Sequence, residues 1–195
     1  MRGLEQIPWA YDALIRLFPG LARWRCDLVA LARGSVLEVG CGTGLGLRDF
    51  SASVDRLWGV DPNAAALRRA LQRMPSAGLA VASAERLPFA SSSFDCVVSS
   101  LVFCSVSDPA RGLAEIHRVL KPGGRLLMLE HVQARSPISA RLLDWIQPPW
   151  TAITGGCHPN RHTERTVESA GFRIDAESRR ARGLMRLFVA YPRAR

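Results

Sequence analysis

Lysine is nearly missing from this chain: of its 26 basic residues only Lys121 is a lysine, and the rest are arginines. The five cysteines, Cys26, Cys41, Cys96, Cys104 and Cys157, include no CxxC pair, and several lie in apolar runs where reduced cysteine acts as a small hydrophobe. A disulfide scaffold is therefore not expected. Cys157, His158 and His162 are metal-ligand types, but three of them without a second cluster make a weak zinc signal, and no metal is expected. No run reaches the roughly eighteen apolar residues that cross a bilayer, and the N-terminus has no basic-then-apolar leader pattern. The expectation is a cytoplasmic protein, with peripheral contact at a membrane surface as the further option. Internal repeats, linkers and polar low-complexity tracts are also missing, which leaves one domain of 195 residues with 48% hydrophobic residues.

The net charge of +9 invites a nucleic-acid reading, because basic surfaces attract phosphates. The arginines are scattered, however, and the densest patch, "RRARGLMR" at 179–186, equally suits a solvated face. General surface charge rather than a nucleic-acid partner is the expectation, and the expected state is a monomer or homodimer.

Short β-branched runs alternate with helical patterns, the signature of a mostly parallel α/β sheet. Strands are predicted near 35–39, 57–60, 79–82, 94–100, 124–130, 172–178 and 184–190, and helices over 44–52, 63–73, 109–120 and 161–170. Asp108 caps the third helix, Pro109 suits its first turn, and Pro122 with the following glycines stops it. Two segments break the rhythm. Residues 4–32 read as two amphipathic helices divided at Pro19-Gly20, and 132–160 form a Pro-, Trp- and Gly-rich insert. The chain thus divides into cap helices (1–33), a core (34–131), an insert (132–160) and a C-terminal helix with strands (161–195). Cap and insert are candidates to complete a site beyond the carboxyl ends of the strands.

"VLEVGCGTGLG", residues 36–46, sets glycines at every second position after the first strand. The dinucleotide register G-x-G-x-x-G fails, since its third glycine falls on Leu45 or Leu47. Glu38 would repel a pyrophosphate, whereas it tolerates a cationic ligand. Asp61 closes the second strand about twenty residues on, where a carboxylate can accept both ribose hydroxyls.

The pattern Glu38-x-Gly40-x-Gly42-x-Gly44, with "LWGVDPN", "SAERLPFASSSFDCVV" and "EIHRVLKPGGRLLMLEH" in order, resembles the class I S-adenosylmethionine-dependent methyltransferases over residues 36–131. The resemblance implies a Rossmann-like doubly wound sheet of seven strands, order 3-2-1-4-5-7-6 with the last antiparallel, and S-adenosylmethionine as cofactor. It also implies a cofactor-binding set of Glu38, Gly40, Cys41, Gly42, Gly44, Asp61, Pro62, Ser83, Ala84, Glu85, Ser99, Ser100 and Leu101. Many relatives carry Asp where this chain has Ser83, so the adenine contact rests on Ser83 or on the backbone near Ala84 and Glu85.

After the fourth strand, "SSLVFCSVSDP" lacks the amide-and-aromatic run that holds a flipped base, and Cys104 lacks the neighbouring proline of a cytosine methylase. "QPPWTAITGGCHPNRHTERTVESAGF" is similar to the membrane thiol S-methyltransferases, with overlap to phospholipid and quinone-pathway methyltransferases. SN2 transfer to a small lipophilic acceptor, a thiol first, is the reaction so implied; a cofactor-binding regulator without turnover is the reading from another class. His131 and His158 are the base candidates by location, and Trp9, Tyr11, Trp145, Trp150, Ile153 and Asn160 are the candidate pocket.

Overall fold

The computed structural model describes residues 7–9, 12–13, 17, 19–132, 137–154 and 156–193. The pattern of β-branched runs becomes a sheet of eight strands: β1 (Gly34–Val39), β2 (Val54–Asp61), β3 (Gly78–Val81), β4 (Phe94–Ser100), β5 (Leu120–His131), β6 (Phe172–Ile174), β7 (Arg180–Arg182) and β8 (Met185–Pro192). The order is β3-β2-β1-β4-β5-β8-β6, with β7 paired to β8. The first five strands are mutually parallel, while β8 runs antiparallel to β5, β6 and β7. The doubly wound order and the path of seven strands are as expected, and one further strand lies off that path. The predicted run 172–178 ends at Ile174, and the extra strand, β7, comes from the arginine patch.

Helices cover both faces: α1 (Pro19–Val29), α2 (Ala64–Arg73), α3 (Pro109–Val119), α4 (Pro137–Thr154) and α5 (Thr163–Ser169). On one face Leu113, Ile116 and Val119 of α3 and Val167 of α5 pack on Leu37, Val97, Leu126 and Met128. On the other, Leu28 and Val29 of α1 pack on Val36, Cys96, Val98, Leu127 and Leu129. Each such fully buried Leu or Val contributes about 1.5–3 kcal/mol of transfer free energy. α3 begins as its sequence dictates, with Asp108 accepting from the Arg111 amide at 3.0 Å and Pro109 in the first turn.

Two expectations fail for identifiable reasons. The helix predicted over 44–52 is only a 3₁₀ turn at Leu47–Asp49, because the glycine loop keeps turning through positive φ at Gly44. The insert is not irregular: α4 runs through Pro148 and Pro149. Thr154 and Thr151 bond the Trp150 and Cys157 carbonyls, supporting the end of that helix. Among the described residues no helix is long and apolar enough to cross a membrane.

The charge excess is also partly internal. Arg179 and Arg180 of the basic patch pair with Glu164 and Asp27, and Arg186 is buried against the Gly183 and Met185 carbonyls. Lys121 pairs with Asp95, which also accepts from the Ser35 amide.

Candidate active site

Because β1, β2, β4 and β5 are parallel, Val39, Asp61, Ser100 and His131 all finish at one edge of the sheet, where ligands of open α/β folds bind. Gly40, at φ +71°, turns the chain there, and a Cβ on it would lie 2.3 Å from Val102 Cγ2. Gly42 differs. Its φ is +53°, yet nothing stands closer to a built Cβ than Asp61 Oδ2 at 4.0 Å, so the space above it is open.

Asp61 is fixed beside that opening. One carboxylate oxygen accepts from the Gly42 amide at 2.9 Å and the other from the Asn63 amide at 2.8 Å, leaving each oxygen a lone pair for a diol. Burial moves its pKa up against the opposing pull of these two bonds. Asn63 also caps α2 through Ala65 and Ala66. Pro62 lies exposed between the two.

Glu38 is buried beneath the loop, against Gly46 and Arg25, and among the described residues its Oε2 has no hydrogen-bond partner. Burial raises its pKa from an ordinary 4.5 to about 7, the nearby Arg25 charge only partly opposing it. That displacement corresponds to on the order of 3 kcal/mol, with a definite sign. Below about pH 4.5 Glu38 is protonated folded or unfolded; as pH rises through about 7 the folded state must carry a buried charge, and stability falls. Glu38→Gln should therefore melt higher than the parent at pH 8–9 and close to it at pH 5. Thermal melts of both proteins across this range check it, and parallel curves would contradict it.

Cys41 belongs to the loop by its backbone alone. Its Sγ packs against Gly59, and burial pushes the thiol up. The Ser83 hydroxyl is bonded to Glu85, whose other oxygen accepts the Ser107 and Asp108 amides at 3.1 and 3.2 Å. Both side chains are thus engaged within the protein, and so is the Glu85 backbone, its amide bonded to the Ser83 hydroxyl and its carbonyl to Arg111, which leaves the backbone of buried Ala84 to meet an adenine edge. Ser99 is likewise engaged, its hydroxyl 3.2 Å from Glu130 Oε1. Ser100 is half-buried, and Leu101 takes a left-handed φ of +59°, strain that non-glycine residues rarely carry away from functional sites.

Two residues were missed by the sequence reading. Glu130, fully buried, accepts from the Val102 and Phe103 amides at 2.9 and 3.0 Å and so shapes the loop after β4. Its signal was visible: a carboxylate closing the apolar strand "LLMLE". Asp12, also buried, accepts from Thr43 at 2.5 Å, Arg73 at 2.6 Å and Arg69 at 3.0 Å, latching the N-terminal segment to the glycine loop and α2. Burial raises its pKa, but the Arg73 and Thr43 bonds and the two arginine charges outweigh that and hold it below the usual range. Nothing in the local sequence marks Asp12. Asp12→Ala should cost about 1–3 kcal/mol, less than a fully buried ion pair because both arginines can rehydrate, and should speed proteolysis ahead of α1.

At the other side of the edge, the segment after α4 is drawn onto the β4 loop. His158 donates its amide to the Cys104 carbonyl at 2.9 Å, and Arg161 donates to the Phe103 and Val106 carbonyls at 2.7 Å each. Cys157 is carried to Cys104 and His131, with the three ligand-type atoms within 4.8 Å of one another. The bonds from Cys104, His131 and Trp150 hold the Cys157 thiol below its usual range against the opposing effect of burial, while Cys104 is pushed up. Cys157 thus clusters with Cys104 and His131, not with His158 and His162. His158 is instead bonded to Gln147 through Nδ1 at 2.8 Å.

Trp9, Trp145, Trp150 and Ile153 are 65%, 80%, 43% and 58% exposed, so among the described residues these side chains do not enclose a pocket. Asn160 bonds Asp144 at 2.9 Å. Tyr11 lies outside the described residues. Concavities of about 470 and 310 Å³ open around Thr163, the first beside Arg179 and Arg186, the second beside Phe103 and Asn160; the glycine loop borders neither.

Residues 37–128 match the family model for the methyltransferase domain. The chain is 38% identical over 151 residues to thiol S-methyltransferase TMT1B of Rattus norvegicus, covering 71% of this chain and 59% of that protein. The chain belongs to the class I S-adenosylmethionine-dependent methyltransferases. It is also 38% identical over 122 residues to the ubiquinone/menaquinone biosynthesis C-methyltransferase UbiE of Haemophilus ducreyi, covering 55% of this chain and 46% of that one. An S-adenosylmethionine-dependent methyltransferase of Thermotoga maritima shares the methyltransferase fold, with a TM-score of 0.70 at 20% identity, over 95% of this chain and 97% of that one. The chain thus spans less than two thirds of the length of the curated methyltransferases it matches.

The family's cofactor is S-adenosylmethionine, and the residues present fit it. The methyltransferase loop offers an opening at Gly42 that a Cβ would begin to fill and a fixed carboxylate for a diol.

Proposed function

We propose that this chain methylates a small lipophilic acceptor, a thiol first, using S-adenosylmethionine seated on the loop Gly40–Gly44. The observation that carries the reading is the open position over Gly42 beside the doubly anchored Asp61 carboxylate. Asp61 would take the ribose hydroxyls, the backbone at Ala84 the adenine edge, and Glu38 would set the field under the loop. The cofactor supplies an electrophilic methyl group for in-line displacement. The chain's part is alignment, and holding reactants in near-attack geometry is worth roughly 7–11 kcal/mol.

The acceptor would approach from the strand edge between the β4 loop and α4, where Cys104, His131 and Cys157 form one wall. Similarity to a thiol S-methyltransferase supports a thiol; similarity to a quinone-pathway enzyme keeps a quinone-type carbon acceptor as the second reading. Trp145, Ile146, Trp150 and Ile153 lie exposed along α4, an apolar stripe suited to lipophilic molecules and to the interfacial plane of a membrane. His131, within that cluster, would border the acceptor position, while His158 is bonded to Gln147.

A panel of alkyl thiols, phenols, amines and quinols, read by formation of S-adenosylhomocysteine, tests the assignment. Turnover on thiols above all others is expected, and turnover confined to another class would replace it. Co-sedimentation with anionic liposomes is expected as well; background levels with and without anionic lipid would remove the membrane part of the reading.

A further inference from the structure

We propose that Cys104, His131 and Cys157 form a binding site for one zinc-class divalent cation, with three protein ligands and a fourth position open to a sulfur ligand. Three segments far apart in sequence converge here: the loop after β4, the last residue of β5 and the turn after α4. The convergence is built rather than incidental. The His158 amide bonds the Cys104 carbonyl, Arg161 bridges the Phe103 and Val106 carbonyls, and Thr151 holds the Cys157 carbonyl.

The spacing suits a cation. Zinc–sulfur and zinc–nitrogen bonds of about 2.3 and 2.0–2.1 Å in a tetrahedron place ligand atoms roughly 3.5–3.8 Å apart. The three atoms already lie within 4.8 Å of one another, so closure needs a contraction of at most about 1.3 Å. Two sulfurs and one imidazole nitrogen are a soft-to-borderline set that selects zinc over magnesium or calcium. Both cysteines are buried and His131 is half-buried, which leaves an approach from the histidine side. A second observation also favours a positive charge here. The Glu130 carboxylate, next to His131 in β5 and bonded to the Val102 and Phe103 amides just before Cys104, is fully buried, and among the described residues its Oε2 has no hydrogen-bond partner.

Uptake of a divalent cation converts both thiols to thiolates and releases their two protons to solvent. Three protein ligands with one vacancy is the arrangement of a reactive rather than a closed site. The cation site stands on the geometry alone; that its vacancy takes the acceptor's sulfur, holding it as a thiolate toward the methyl group, rests on the function proposed above.

Cobalt(II) titration of the reduced, metal-free protein tests this, because thiolate-to-cobalt charge transfer reports sulfur ligation directly. One cobalt per chain with a charge-transfer band is expected, displaced by zinc, unchanged in Cys96→Ser, and at least about tenfold weaker in binding in Cys157→Ser. Added alkyl thiol should intensify the band; an unaltered band overturns the acceptor role. Absence of the band in the reduced parent protein overturns the site without any variant having to fold, as does an undiminished band in Cys157→Ser. A Cys104–Cys157 disulfide in protein whose reduced form takes no cobalt would also overturn it. Calorimetry with S-adenosylhomocysteine on the same samples reads the methyltransferase assignment separately, so failure of one is not mistaken for failure of the other.

Discussion

Replacing Asp61 by alanine is expected to leave a folded protein that no longer binds S-adenosylmethionine measurably. The carboxylate is held from behind by the Gly42 and Asn63 amides, so its remaining lone pairs are fixed in place before any ligand arrives. Hydrogen bonds to a charged acceptor contribute about 1.5–3 kcal/mol each. Two of them, to adjacent ribose hydroxyls, amount to roughly a 10²–10⁴-fold loss of affinity. Calorimetric titration of parent and variant measures this. Asp61→Asn separates charge from shape, keeping one oxygen acceptor while removing the negative charge, and should fall between the two. Unchanged affinity in Asp61→Ala would place the cofactor elsewhere.

The second large effect comes from a pair of glycines two residues apart. Gly40→Ala should impair folding itself: its Cβ would overlap Val102 Cγ2 at 2.3 Å, and φ of +71° is unfavourable for alanine. The left-handed conformation costs about 1–2 kcal/mol and the overpacking a further 1–3 kcal/mol. Gly42→Ala has only the conformational part, because its Cβ meets nothing nearer than 4.0 Å. The added methyl would stand where the ligand must come close to the backbone. Gly42→Ala should thus lose affinity steeply while its melting temperature falls modestly, and Gly40→Ala should lose both. Melting curves and binding isotherms on the two variants decide the matter; a Gly42→Ala protein with parental affinity would mean the opening is not a ligand cradle.

These expectations rest mostly on features legible in the sequence. The glycine spacing, Glu38 and the acidic end of the second strand are local signals, and the structure places all three around one strand edge. Helix α3 was equally readable because cap, first-turn proline and stop signal are contiguous. What was not legible depends on contacts across the chain. Asp12 reaches the glycine loop 31 residues away. Cys104 read as a packing residue and Cys157 as a ligand type grouped with His158 and His162, since nothing near either one reports that Arg161 and His158 close the insert onto the β4 loop. The α4 helix was hidden by its two prolines, which argue for a break in isolation, while its exposed tryptophans resembled pocket residues by type alone.

The central claim is positional: the cofactor lies on the glycine loop with its ribose at Asp61 and its sulfur directed toward the edge where Cys104, His131 and Cys157 meet. A crystal structure of the complex with S-adenosylhomocysteine tests it most directly. The account predicts both ribose hydroxyls within hydrogen-bond distance of the Asp61 carboxylate and the backbone of Gly42 against the ligand. Nucleoside density in the concavity beside Arg179 and Arg186, with the loop empty, would contradict it.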